Sequence, residues 1–196
     1  MAIRKFKDYE QTKAYGNFQA LPKGGYVLQI KGATVHENTV GQYIKVSCDV
    51  AEGEYTGYFT KDYQDQSGED KKWHCHYLLN VPKDDGSEKD GWTKRHFKTF
   101  TEALEESNPG YHFDWDETKF RGLYIGGLFN IREYEKNDGS VGEATNLAKV
   151  TNVEAIRSGN YRLPNDKKLK GGRGSYADAD GFMRIEDGAG EALPFD

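Results

Sequence analysis

The sequence predicts an all-β domain with one helix: a five-stranded barrel with the helix between strands three and four, followed by a disordered C-terminal tail. Three observations predict it. Glycine and aromatic residues are abundant (23 glycines, 13% aromatic), and there are 13 tyrosines against 2 methionines, a composition that suits strands better than helix packing. Several short segments alternate apolar and polar residues with the period of two that belongs to strands. After Ile156 apolar residues thin out, leaving too little apolar area to offset the entropy of ordering the chain. The resulting divisions are an N-terminal arm over 1–20, a barrel domain over 21–158 and a flexible acidic tail over 159–196, the size of one core with extensions.

The arm is polar, with Phe6, Tyr9, Tyr15 and Phe18 scattered along it. Leu21-Pro22-Lys23-Gly24-Gly25 reads as a turn. Tyr26 to Ile30 reads as strand one, with Tyr26, Leu28 and Ile30 on one face. Strand two, Gln42 to Val50, has the clearest pattern: Ile44, Val46, Cys48 and Val50 point to a core, and Tyr43, Lys45, Ser47 and Asp49 to a wet face, as in an antiparallel sheet covered on one side. Glu52-Gly53 makes a turn, and Tyr55 to Thr60 reads as strand three, with Gly57 marking a bulge or bend. Residues 61–95 form a long polar insertion that includes the short apolar piece Tyr77 to Val81. A helix is expected over about 95–107, because Phe97, Phe100 and Leu104 share a face; Asn108-Pro109-Gly110 stops it. Leu123 to Tyr134 reads as strand four with a kink at Gly126-Gly127, Asn137-Asp138-Gly139-Ser140 as a hairpin turn, and Glu143 to Ile156 as strand five with Ala148, Val150 and Val153 inward.

Three strands, a helix and two strands is the order of the OB barrel, in which strands two and three and their loops carry oligonucleotides. Binding an unpaired strand needs rings to stack on bases and cations to track phosphates. The chain interleaves the two: Tyr43 with Lys45, Tyr58 with Lys61 and Tyr63, Lys72 with Trp73, Trp92 with Lys94 and Arg95, and Arg132 with Tyr134 and Lys136. The expected ligand is single-stranded DNA, bound without catalysis and without a cofactor. The net charge of −5 does not oppose this, because residues 171–196 hold six acidic residues against Arg173 and Arg184, leaving −1 for the rest of the chain.

The chain ends in Ala192-Leu193-Pro194-Phe195-Asp196, with Glu186, Asp187 and Glu191 upstream. An apolar tip on an acidic leash serves no core and suits a pocket of a partner protein rimmed by basic residues. This layout resembles bacterial and phage single-stranded-DNA-binding proteins, whose tails end in an acidic run and a Leu/Ile-Pro-Phe tip, although here Asp196 follows the phenylalanine. The region Leu21 to Ile156 is similar to small phage-encoded OB proteins in Leu21-Pro22-Lys23-Gly24-Gly25-Tyr26, in the second strand running to Glu52-Gly53, and in Arg121-Gly122-Leu123. The resemblance implies that Leu193, Pro194 and Phe195 recruit replication and recombination proteins. It further implies that the chain serves DNA replication, recombination and repair in the cytoplasm of a bacterial host, encoded by a phage or prophage. An open barrel edge and the long insertion make a homodimer one option.

Other classes find less support. No run of about 18 apolar residues exists to span a membrane, and the basic start Met1 to Lys7 lacks the apolar stretch of a secretory signal. Mean hydropathy is −0.88. Two cysteines, Cys48 and Cys75, are too few for a disulfide framework and fit a reducing compartment. His74-Cys75-His76 lacks the ligand spacing of a zinc site, so no metal is expected. No phosphate-binding glycine loop and no Gly-x-Ser-x-Gly elbow is present. The alternatives kept open are a carbohydrate-binding or structural β-module, using exposed Trp and Tyr, and a metal-dependent nuclease using Asp114, Asp116 and Glu117.

Overall fold

In a computed structural model of the chain, residues 20–67, 70–136 and 138–169 are described, together with residues 4, 5, 7 and 9. Strand β1 spans Gly24–Asn38 and β2 Gly41–Val50; helix α1 spans Tyr58–Asp65; β3 is His76–Asn80; α2 is Glu88–Ser107; β4 is Tyr124–Glu135; β5 is Val141–Thr151; and α3 is Val153–Ser158. A 3-10 turn, Glu117–Phe120, precedes β4. The strands form one antiparallel sheet in the order β3-β2-β1-β4-β5. The two edge strands, β3 and β5, come near each other without a hydrogen-bonded ladder between them. The sheet is therefore open, and the closed barrel read from the sequence is not formed.

Strand two keeps the register its pattern predicts: Ile44, Val46, Cys48 and Val50 are all buried. Strand one is three times longer than the Tyr26–Ile30 reading. Its continuation, Lys31 to Asn38, alternates Ala33 and Val35 with Thr34 and His36 across from β2. Between Ile30 and Gly32 the register with β2 shifts by one residue, so Lys31 is the extra residue of a β-bulge. The hairpin closes at Asn38, whose Oδ1 accepts hydrogen bonds from the Val40 and Gly41 amides.

The segment read as strand three is a helix. Gly57 sits at φ 72°, a left-handed conformation open to glycine at little cost. It turns the chain off the end of β2, and its amide donates to the Val50 carbonyl. The Asp49 carboxyl then accepts from the amides of Phe59 and Thr60 at 2.9 and 3.3 Å and from the Thr60 hydroxyl at 2.5 Å. These amides begin a helix and lack intrahelical partners. Asp49, read as solvent-facing, is 2% exposed for this reason. The third strand instead arises from the short apolar piece of the insertion, whose residues 76–80 pair with Tyr43 to Ser47.

Helix α2 begins well before residue 95. Ser87 caps it by accepting from the Asp90 amide, and buried Asp90 accepts from the Lys83 amide at 2.7 Å. Its apolar face, Phe97, Phe100, Ala103 and Leu104, joins Leu28, Ile30, Ile44, Val46, Leu79, Phe120, Ile125, Phe129 and Leu147 in one core. Phe100 stacks on Tyr77 with ring centroids 5.7 Å apart. The kink expected at Gly126-Gly127 is continuous strand. The glycines make room: a Cβ on Gly127 would lie 2.9 Å from Leu147 and closer still to Leu28, and one on Gly126 would lie 2.7 Å from the Asn152 carbonyl and from Ile156. In β5 the inward residue is Leu147 rather than Ala148, and Val153 is buried at the start of α3, where residues 153–156 leave the sheet.

Residues 161–169, which the sequence assigns to the tail, lie on the sheet. The Tyr161 ring covers Gly25. Lys167 forms a parallel bridge with Arg132, its amide donating to the Ile131 carbonyl and its carbonyl accepting from Glu133. They occupy the side of β4 beyond the point where β1 begins at Gly24. Among the described residues no helix is long and apolar enough to cross a membrane.

Candidate nucleic-acid interface

The β1–β2–β3 part of the sheet has two faces. The inner one carries Ala33, Ile44, Val46 and Leu79 and meets the core. Register places the outward residues opposite one another: Thr34 against Lys45, His36 against Tyr43, Gly32 against Ser47, then Tyr43 against Asn80, Lys45 against Leu78 and Ser47 against His76. Lys31 joins them through the bulge. The hydroxyl of Ser47 lies 3.1 Å from His76 Nδ1, and that of Thr34 lies 3.0 Å from His36 Nε2. The His36 ring stacks on Tyr43 at 5.3 Å with 16° between planes. Burial, reinforced by the Lys45 charge, pushes the His76 imidazole down to about 4, so it is neutral at pH 7.

Among the described residues the outward positions of these three strands bear one carboxyl group, Asp49, and that group is consumed by the α1 amides. Among the described residues Lys31 reaches Gln29, at 2.9 Å, and Lys45 and Arg121 form no ion pair. Elsewhere five cations meet acids: Lys23 with Asp166, Lys94 with Asp84 and Asp90, Lys98 with Glu102, Lys119 with Asp114 and Asp116, and Arg157 with Glu52.

Beyond Asp49 the face continues onto α1 and the approach to β3. Trp73 is fixed by its indole N–H, which donates to the Cys48 carbonyl at 3.0 Å. Tyr63 lies 5.8 Å from the Trp73 ring, and the Lys71 ammonium sits over Tyr63. His74 Nδ1 is 2.6 Å from Asp62. Lys61 and Lys72 are exposed beside them.

Of the residues picked from the sequence, Lys45, Lys61, Tyr63, Lys72 and Trp73 are thus brought to one surface; Tyr43 lies on the same face but is only 9% exposed, its ring stacked on His36. Tyr58 is not among them. Its hydroxyl accepts from the Leu21 amide at 3.1 Å, its ring packs on Phe59 and Tyr55, and burial raises it to about 12, so it is packing. Trp92, Lys94 and Arg95 lie on α2, which covers the core side of the sheet. There Arg95 stacks 4.5 Å over Trp92, and Lys94 is held by its two aspartates. Arg132, Tyr134 and Lys136 stand on the β4–β5 hairpin, where Tyr134 and Lys136 fold over Gly142. Leu193, Pro194 and Phe195 lie outside the described residues.

The sequence reading missed Lys31, Thr34, His36, His76, Leu78 and Arg121. The alternation of Ala33 and Val35 with Thr34 and His36 was the available signal for the first of these; it is weakened by the bulge, which breaks the period at Lys31. Two of the three acids of the nuclease alternative are engaged locally. Asp114 and Asp116 share Lys119, and Asp116 also accepts from the Thr118 amide and hydroxyl. Among the described residues no group of three or more His, Cys, Asp or Glu side chains is placed to hold a metal ion. No protein-family model matches the chain, and no curated protein is similar to it.

Proposed function

We propose that this chain binds single-stranded DNA without strong sequence preference, through the outward face of β1, β2 and β3, and that its domain is of the OB type. The observation that carries the reading is the distribution of charge partners. The outward face sets Tyr43, His36 and His76 among Lys31 and Lys45, with the one carboxyl on its strands buried, whereas Lys23, Lys94, Lys98, Lys119 and Arg157 elsewhere are each matched by an acid. A surface of rings and unmatched cations suits bases and phosphates together. The strand order supports the OB reading. Sequence β3-β2-β1-β4-β5, with a helix between β3 and β4 lying on the core side, is that of a five-stranded OB barrel parted between β3 and β5. In that fold the strand 2–3 face and the loops between strands 1–2 and 4–5 take up oligonucleotides. By this reading Arg132, Tyr134 and Lys136 on the β4–β5 hairpin extend the surface. The Leu193-Pro194-Phe195 tip recruits replication, recombination and repair proteins, and the protein works as a binder rather than an enzyme, in a phage or bacterial setting.

The test is a titration of the full chain with oligo-dT, poly-U and duplex DNA, read by tryptophan quenching at several salt concentrations. Single strands lose affinity with a log–log slope of about −0.7 per phosphate neutralised, so three cations on the face give a slope of about −2. Lys45→Gln lowers the affinity and makes the slope shallower by about one phosphate's share. Failure to bind dT at low salt, or duplex binding as tight as single-strand binding, refutes the proposal.

A further inference from the structure

An open depression of about 390 Å³ adjoins this face, lined by Gln29, Ile30, Lys31, Thr60, Trp73, Arg121 and Gly122. That volume lies within the ~300–1,000 Å³ typical of small-ligand sites. Its polar groups are not equivalent. The Thr60 hydroxyl is committed to Asp49, and the Trp73 indole N–H to the Cys48 carbonyl. The Gln29 carboxamide is held from both ends: its oxygen accepts from Lys31, and its nitrogen lies 3.4 Å from the Gly122 carbonyl. What remains for a ligand is the ring of a tryptophan that cannot swing away, the spare donors of Lys31, and the Arg121 guanidinium, which has no carboxylate partner among the described residues. The bulge at Lys31 and the turn at Arg121-Gly122 bring both cations to the same rim. The turn is held there by the Gly122 amide donating to the Ile30 carbonyl.

A flat aromatic wall beside a lysine and a planar, five-donor guanidinium fits an aromatic ring joined to a phosphate. We propose that this depression is a discrete nucleotide subsite that takes one nucleoside phosphate, the base stacked on Trp73 and the phosphate held between Lys31 and Arg121. This deepens the strand-binding reading and rests on it for the source of the nucleotide. The nucleotide could come from a strand end, from the interior of a strand or as a free monophosphate; the recognising chemistry is the same.

The test uses the full chain, with indole N–H signals followed by NMR during titration with thymidine 5′-monophosphate, thymidine and inorganic phosphate. The expected result is a shift of the Trp73 indole signal by the monophosphate at millimolar concentration, with thymidine and phosphate each at least tenfold weaker. Arg121→Gln and, separately, Lys31→Gln weaken the monophosphate at least fivefold; two variants keep the test open should either fail to fold. A Trp73 signal that does not move, or variants that bind as wild type, overturns the proposal. Oligo-dT measured alongside separates the two ideas. A chain that binds dT but not the monophosphate keeps the face and loses the subsite. A chain that binds the monophosphate but not dT keeps the subsite and loses the strand reading. A fivefold preference for 5′-phosphorylated dT over its unphosphorylated form identifies the occupant as a strand end, and equal affinities as an internal nucleotide; either supports the subsite.

Discussion

Replacing Asp49 by alanine removes the group that ties β2 to α1. The carboxyl is 2% exposed and accepts from the Phe59 and Thr60 amides, the Thr60 hydroxyl and its neighbouring Val50 amide, at 2.5 to 3.3 Å. The loss of a helix-capping acceptor costs about 1 kcal/mol, and each buried donor left without a partner adds about 1–3 kcal/mol. Water entering the vacated space relieves part of this, so we expect Asp49→Ala to destabilise the domain by about 3 kcal/mol. That is a large share of the roughly 5–15 kcal/mol that holds such a domain together. For a chain of this size the shift in melting temperature is about 6–12 °C. Urea unfolding followed by circular dichroism measures it, with the midpoint expected to fall and the slope to stay constant. Asp49→Asn keeps one accepting oxygen of the same shape and loses roughly half as much. Hydrogen exchange at the Phe59 and Thr60 amides accelerates in the alanine variant more than at Leu104 in the core. A loss under about 1 kcal/mol, or an asparagine variant less stable than the alanine one, refutes the reasoning.

Three further outcomes are expected. His76, depressed to about 4 against an ordinary 6.5, is neutral in the folded protein. Its contribution to stability is complete above pH 6.5 and lost as pH falls from 6.5 toward 4, by about 2 kcal/mol at pH 5; urea midpoints between pH 7 and pH 5 show the slope, and His76→Gln flattens it. Gly127→Ala places a Cβ 2.9 Å from Leu147 and against Leu28, and the overpacking costs about 1–3 kcal/mol in urea unfolding, whereas Gly53→Ala, with nothing within 4 Å but φ +86°, is strained only in its backbone. Tyr58→Phe loses about 1 kcal/mol of stability with its hydrogen bond to Leu21 and leaves oligo-dT affinity unchanged, while Tyr43→Ala weakens oligo-dT by about 1–3 kcal/mol if the ring stacks on a base; equal effects of the two on affinity contradict the assignment of Tyr58 to packing.

How much of this was legible depended on whether local pattern and tertiary context agreed. In β2 they agree at the four inward positions, Ile44, Val46, Cys48 and Val50, whereas Tyr43 and Asp49, on the face expected to be wet, are buried as well. Leu28 and Ile30, and the helix face of Phe97, Phe100 and Leu104, were legible for the same reason. The segment Tyr55 to Thr60 looks like a strand because aromatic and threonine residues favour extended backbone. It becomes a helix because Gly57 can adopt a left-handed turn and because a carboxyl eight residues upstream of Gly57 satisfies the helix start. That bond is invisible to any window shorter than the distance it spans. The true third strand is five residues long and is defined by its pairing with β2 rather than by its own periodicity. The site suffered in the same way. Tyr43 and Lys45 came from a clean alternation, whereas Lys31 is placed by a bulge and Arg121 by a turn docked on Ile30, neither of which leaves a periodic trace.

Net charge is a poor guide to this molecule, and the reason bears on how it could hold an anionic strand. A chain of net charge −5 repels DNA at long range, but beyond about 8–10 Å at physiological salt that repulsion is screened. Binding is decided by groups inside that distance. Seven acids distant from the outward face are already matched: Asp84, Asp90, Asp114, Asp116, Glu102, Glu52 and Asp166 each lie against a lysine or arginine. Such pairs add little to stability when exposed, yet they leave little local field. On the outward face the same rule runs the other way. Asp49 is withdrawn into the α1 cap and His76 is held neutral by burial, so the charges nearest a bound strand include those of Lys31, Lys45 and Arg121. One carboxyl therefore does two things at once: it builds the helix that supports Trp73, and it takes itself off the surface where it would oppose a phosphate. A variant that frees that negative charge is expected to lose stability and strand affinity together, whereas loss of Lys45 alone touches only the second.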